Sequence, residues 1–312
     1  MLASPWLMTG YHIAFMALTA TIVARGIAGG IEAACKILMP MLMFLVVALA
    51  LYAMSEGDMR AALRFLLGFD RAALSAKVAL EALGLGLFSI GVGVAVMITY
   101  GGHAGRDIDL RQVAIATILG DTAISFLSGL AIFPIVFAEK LDAAAGPGLM
   151  FVTLPVAFAR LPFGTLAAVA FFALLTIAGL ASAIAFLEMP VAFLQRLLAC
   201  SRPRATAICA SACGALGLGT VFSFNVWAHW YPLGSIGFAQ ATFFDVLDQV
   251  TSNLLLPIGG LALAIFGGWI VPKDLLVAEL QFGPVGIFIF RALLRYVAPL
   301  AIAAASVAMV RF

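Results

Sequence analysis

The chain has 312 residues, 64% of them hydrophobic and 10% charged, with a formal net charge of +2 and a mean hydropathy of +1.16. Soluble domains run at roughly 45–50% apolar and 25% charged. The 17 basic and 15 acidic side chains present cannot give a soluble core of this size its polar shell, so lipid is the solvent for most of the surface. Without a run of basic residues to neutralise phosphates, nucleic acid is excluded as a partner.

A bilayer core takes about 20 mostly apolar residues per helix, and eight stretches reach that length: 5–25, 33–52, 78–100, 112–137, 163–198, 206–224, 246–270 and 285–310. They predict an all-α integral membrane bundle, because helices satisfy every backbone group internally in lipid. The ten-residue alternating segments of a membrane β-barrel are absent. The first stretch has no basic n-region or cleavage site ahead of it, so it reads as a span rather than a signal peptide. With the N-terminus outside, Arg25, Lys36, Arg106, Arg111, Arg196, Arg202, Arg204, Lys273, Arg291 and Arg295 fall inside.

Between the second and third stretches the polar segment 53–77 carries an amphipathic piece, Arg60 to Leu67, suited to a short helix on the membrane surface. The third stretch holds four glycines and a serine in the dozen residues from Gly84 to Ala95. Each glycine weakens a helix interior by about 1 kcal/mol relative to alanine. The stretch reads either as a small-residue packing face or as a broken helix with free amides and carbonyls near mid-membrane. In the fourth, Asp121 lies ten residues past Arg111, about 15 Å along a helix. A carboxylate at that depth faces a cavity, a partner or an ion, and Ser125 follows one turn on.

The segment 138–162 reads as a loop with a turn at Gly146, Pro147 and Gly148. The fifth stretch is too long for a perpendicular span. It carries Thr176 to Ser182, a small, polar-tinged run with oxygens suited to a hard cation or simply a packing face, then Glu188, either a hydrogen-bonded structural acid or part of an ion path. Cys209 and Cys213, with Cys35 and Cys200, read as small apolar residues without metal spacing. Asp245 and Asp248 open the seventh stretch, where carboxylates favour a helix N-terminus; Asp245 reads as a cap. His12, His103 and His229 share no metal spacing, and no HExxH, GxSxG or paired-acid motif is present. The chain reads as no enzyme.

Several strings recur in order over nearly the whole chain: Arg25 to Pro40, Phe88 to Gly93 with Ile98 to Tyr100, Ile118 to Asp121, Phe151 to Pro155, Ala178 to Ser182 and Phe244 to Pro257. With them the chain resembles the bacterial branch of the neurotransmitter:sodium symporter family. That resemblance implies an inverted-repeat transporter fold with broken first and sixth helices and alternating access. The third stretch is similar to the family's sixth helix, so the family's first three helices have no counterpart, leaving an N-terminally incomplete single transmembrane domain. Residues 1–54 correspond to the remainder of the first repeat, 78–270 to the second, and 285–312 to an extra C-terminal span.

The resemblance also implies roles. Phe88, Ser89, Gly91 and Val94, with Ser182 and Phe186, would line a substrate pocket. Ser89 and Asp121 would hold one sodium ion, and the Ala178 carbonyl and Ser182 part of a second, with Ala181 where the family often has a ligating threonine. Asp248 would be the acidic half of an outer gate, its arginine partner belonging to the first helix. Ser125 fits the family's anion position, and the fixed charge of Asp121 implies chloride independence. The implied function is sodium-coupled symport of an amino acid or related amine across the cell inner membrane, with sodium as coupling ion and no other cofactor. The family draws substrate and sodium ligands from its first helix, so this chain alone is expected not to transport. The competing reading is a non-transporting truncated paralogue, or one half of a split transporter whose first helices form a separate chain, acting as a membrane interaction protein.

Overall fold

The structure, a computed structural model, describes residues 4–69, 71, 74–103, 105, 108–143, 149–234 and 241–309. The described residues form fourteen α-helices joined by short π-helical and 3₁₀ turns, and the chain divides into two compact units. One comprises residues 1–26, 72–115 and 184–312, the other residues 27–71 and 116–183.

In the first unit, α1 (Pro5–Ala24) starts at a proline, whose missing N–H costs nothing in a first turn. It packs along α9 (Arg202–Ser223). His12 on α1 donates from Nε2 to the Gly214 carbonyl at 3.0 Å, a polar clamp between two apolar helices. The sixth predicted stretch began at residue 206, but α9 starts four residues earlier, with Pro203 in its first turn. The third stretch is interrupted: α4 (Ala76–Ile90) gives way to a 3₁₀ turn at Val92–Val94, and α5 (Val96–Gly101) resumes. Among the described residues, seven continuous helices, counting their π-helical turns, are long and apolar enough to cross a membrane, and this interrupted stretch is the eighth expected span.

Beyond α9 come α10 (Phe243–Gln249), a π turn at Val250–Leu255, α11 (Leu256–Ile265) and a second π turn at Phe266–Ile270. After them follow α12 (Lys273–Leu280), α13 (Pro284–Ala292) and α14 (Ala298–Met309). Helix α14 packs on α4 and α11.

The second unit is built on α2 (Ala33–Glu56), α3 (Met59–Leu67), most of α6 (Leu110–Ala138), α7 (Leu154–Phe158) and the first half of α8 (Gly164–Leu198). Its core joins Val46, Leu49 and Ala53 of α2 to Ala131 and Ile135 of α6, Leu154 and Phe158 of α7, and Phe171 and Leu174 of α8. The amphipathic piece forms α3 as expected, with the Asp58 carboxylate accepting from Ala61 N at 2.9 Å to cap it. Its buried Ala62 and the rings of Phe65, Phe133 and Phe137, 4.8–6.1 Å apart, dock it on α6. The segment 138–162 is not simply a loop. Leu154 and Phe158 are apolar at helical spacing, and burying them beneath α8 draws α7 into the core. The expected turn at 146–148 lies outside the described residues.

Candidate functional site

The interruption between α4 and α5 has a definite local cause. Gly91 sits at φ +67°, a conformation that costs an L side chain but not glycine, and Ala95 is forced to φ 59° at the start of α5. The chain keeps some internal bonding there: Val94 N donates to the Gly91 carbonyl at 3.1 Å, and Thr99 Oγ1 bonds back to the Ala95 carbonyl at 3.3 Å. A 3₁₀ turn of three residues cannot bond all of its backbone groups, so a helix opened in this way presents amides and carbonyls sideways.

The interruption is backed by α11. A Cβ on Gly93 would overlap the Leu256 carbonyl oxygen, and one on Gly259 would overlap the Gly93 carbonyl oxygen. The two backbones therefore touch at Gly93 and Gly259, where neither residue carries a side chain, which only glycine permits. Pro257, Gly259 and Gly260 were the sequence signal for this contact, and reading glycines one helix at a time missed it.

Of the expected pocket residues, Ser89 is exposed on the last turn of α4, and Gly91 and Val94 lie in the interruption, partly buried. The Phe88 side chain lies outside the described residues. Phe186 is half exposed on α8. Asp248 is exposed on α10, two turns ahead of Leu256, and its Oδ1 accepts from Ser252 Oγ at 3.3 Å. Helix α10 itself is held in place from α9: the Ser223 hydroxyl donates to the Gly219 carbonyl at 3.0 Å and accepts from Phe244 N at 3.1 Å. Asp245 caps it as expected. Its Oδ2 accepts from Thr242 N at 2.9 Å, and its own amide donates to Thr242 Oγ1 at 3.3 Å, a reciprocal capping box.

The remaining candidates belong to the second unit. Asp121 is partly buried on α6, with Ser125 exposed one turn on; Ala178 is partly buried and Ser182 exposed on α8, again one turn apart. The Thr176 hydroxyl is engaged by its own helix, donating to the Phe172 carbonyl at 2.8 Å. Each of these two helices therefore offers a pair of candidate oxygens four residues apart, the spacing that brings side chains onto one face.

Glu188 is resolved in favour of the structural reading. Its carboxylate is wholly buried and clasped by Arg202: Nη1 donates to Oε1 at 3.2 Å, Nη2 donates to Oε2, and Nε donates to the Val23 carbonyl at 2.8 Å. This fork ties α8, α9 and the end of α1 together within the first unit. Arg202 was counted in the sequence only as an inside-facing charge, because partners fourteen residues apart across a helix corner leave no periodic signal.

Outside the spans, Asp109 forms an ion pair with Arg111, whose Nη2 lies 3.2 Å from Oδ2, and Arg111 N donates to Oδ1 at 2.9 Å. The Arg111 side chain and then its backbone amide hold the Asp109 carboxyl below the ordinary carboxylate range.

Residues 7–228 match the model of the sodium:neurotransmitter symporter family. The chain is 32% identical over 295 residues to the uncharacterised sodium-dependent transporter YhdH of Bacillus subtilis, covering 93% of this chain and 64% of that protein. It is 30% identical over 272 residues to an uncharacterised sodium-dependent transporter of Haemophilus influenzae, covering 87% of this chain and 58% of that protein. Among solved structures, MhsT in complex with L-phenylalanine superposes with a TM-score of 0.86 at 35% identity, over 98% of this chain and 69% of that one. The chain thus spans about three-fifths of the length of these curated relatives.

Proposed function

Because this chain belongs to the sodium:neurotransmitter symporter family, we propose that it takes part in sodium-coupled symport of an amino acid, using the interrupted stretch around Gly91–Ala95 to receive the substrate. It is a multi-pass membrane protein of a transporter family rather than an enzyme. The observation that carries the reading is the interruption itself: a membrane stretch opened at Gly91 and packed backbone to backbone against α11 cannot bond all of its own backbone groups, which a plain span would.

In this proposal Phe88, Ser89, Gly91 and Val94, with Ser182 and Phe186, contact the substrate. Ser89 and Asp121 serve one sodium ion, and the Ala178 carbonyl and Ser182 a second. Sodium is a hard cation that takes oxygen ligands, and a mid-membrane carboxylate is retained only where a cation or partner offsets its cost. Asp248 acts as an outer gate, Ser125 occupies the anion position, and the charge of Asp121 makes transport independent of chloride. The likeness to MhsT, solved with L-phenylalanine, favours an amino acid with an apolar or aromatic side chain as substrate.

The test is uptake of radiolabelled L-phenylalanine and other apolar amino acids by cells carrying the gene at its native locus, against a deletion strain. Accumulation that needs sodium, persists when chloride is replaced by gluconate, and disappears in Asp121→Leu is the expected result. Accumulation unchanged in Asp121→Leu, or equal in sodium and choline, overturns the proposal.

A further inference from the structure

At the end of the helix that runs from α11 through its π turn, two arginines of the following span converge on one oxygen. Arg291 Nε and Arg295 Nε both donate to the Gly268 carbonyl, at 3.1 and 2.6 Å, and Arg291 Nη2 donates to the Val271 carbonyl at 3.1 Å. Gly268 is buried and its missing side chain leaves room for Arg295: a Cβ there would lie 3.0 Å from Arg295 Cγ and 3.2 Å from its amide nitrogen. The guanidinium of Arg295 lies over the Trp269 ring at 4.9 Å, and Tyr296 meets that ring edge-on at 6.1 Å.

Among the described residues the charge of this cluster is uncompensated. A helix C-terminus offers the equivalent of about half a negative charge, against two full positive charges side by side. Among the described residues no carboxylate pairs with either guanidinium, including Asp274 and Glu279 of the adjoining α12. Three hydrogen bonds engage the two guanidinium groups, which together carry ten N–H donors. Like charges brought together at the edge of a low-dielectric phase, with donors left over, call for an anion.

The surroundings define that anion. Trp269 and Tyr296 are more than half exposed, the pairing of amphipathic rings that marks the headgroup level of a bilayer. Leu293, Val297 and Leu300 continue the same helix as exposed apolar side chains at helical spacing. We propose that Arg291 and Arg295 form a binding site for the phosphate of an anionic phospholipid, whose acyl chains run along Leu293, Val297 and Leu300. Guanidinium forks match phosphate oxygens in geometry as well as charge.

The experiment follows the thermal unfolding midpoint of the purified protein in neutral detergent micelles doped with phosphatidylglycerol, with phosphatidylcholine, or with inorganic phosphate in the buffer. Ligand that binds only the folded state raises the midpoint. Phosphatidylglycerol is expected to raise it by about 4 °C, with a negligible rise from phosphatidylcholine. An equal rise from inorganic phosphate alone upholds the phosphate chemistry and assigns it to a soluble anion. Equal midpoints in all three conditions overturn the proposal. In Arg291→Gln/Arg295→Gln, where the amides still donate to Gly268, the preference for phosphatidylglycerol is expected to vanish, and its persistence overturns the assignment. Should that pair fail to fold, Tyr296→Asp places a carboxylate at an exposed position of the cluster. It is expected to weaken the phosphatidylglycerol shift at least twofold, and an unchanged shift again overturns it.

Discussion

The stretch 78–100 and helix α8 are both apolar, both contain small residues and serine, and both were open to a functional or a packing reading, yet their backbones follow opposite courses. The first breaks at Gly91–Ala95, whereas α8 runs unbroken for 35 residues, through Pro190 and the small residues 176–182. Local propensity does not separate them, since a proline in a helix interior costs more than a glycine. The difference lies in what each backbone meets. Gly93 rests directly on the Leu256 carbonyl and Gly259 on that of Gly93, so the broken stretch gains a backbone contact that a regular helix would forfeit. Helix α8 instead buries Ile177, Leu180, Ile184 and Leu187 at helical spacing and neutralises its single buried acid with Arg202, so nothing rewards opening it.

The largest effect should come from the α8 side. Arg202→Ala strips the wholly buried Glu188 carboxylate of its partner, a loss of about 3–5 kcal/mol. Unfolding in a denaturing detergent titration should show it, and Glu188→Leu combined with Arg202→Met should recover most of the loss. On the broken stretch, Gly93→Ala forces a methyl group into the Leu256 carbonyl. It should lower stability by about 1–3 kcal/mol, read by thermal melts, and under the proposed function it should also abolish sodium-dependent amino acid binding, read by scintillation proximity. A variant that binds normally would show that the contact with α11 is not what sets the break.

Gly91→Ala has open space around it but demands a methyl-bearing residue at φ +67°. Its cost should be smaller, about 1–2 kcal/mol. Gly86→Ala, on the regular part of α4 with nothing within 4 Å of the new methyl, should go the other way and stabilise by about 0.5–1 kcal/mol. Opposite signs at Gly86 and Gly91 in the same assay would locate the boundary between helix and break.

The smallest effect concerns the partly exposed Asp109–Arg111 ion pair at the start of α6. Since Arg111 lowers the pKa of Asp109 in the folded protein, its contribution is complete above the ordinary carboxylate pKa and is lost as pH falls through the lowered value. The melting temperature of the protein and of Asp109→Asn should therefore converge in acid, below about pH 4, and differ only slightly at neutrality.

Several of the candidate residues can be picked out along the chain. The glycine run, Asp121, Ser125, Ser182 and Asp248 each stood out against an apolar background, and the Thr242–Asp245 cap follows from a three-residue spacing that is local by nature. Glu188 stood out too, but choosing between its two readings required Arg202, whose proximity is a property of the α8–α9 corner and not of either helix. Leu154 and Phe158 were hidden because a five-residue helix is too short to show a period.

Hydropathy and length alone determined that the chain is a helical membrane protein and where its spans run, because lipid imposes that requirement on each segment independently. Tertiary structure decided where a span opens, which charge meets which, and which loop enters the core. Those outcomes depend on the free energy of contacts between segments distant in sequence: Gly93 with Leu256, Arg202 with Val23, and Arg291 and Arg295 with Gly268.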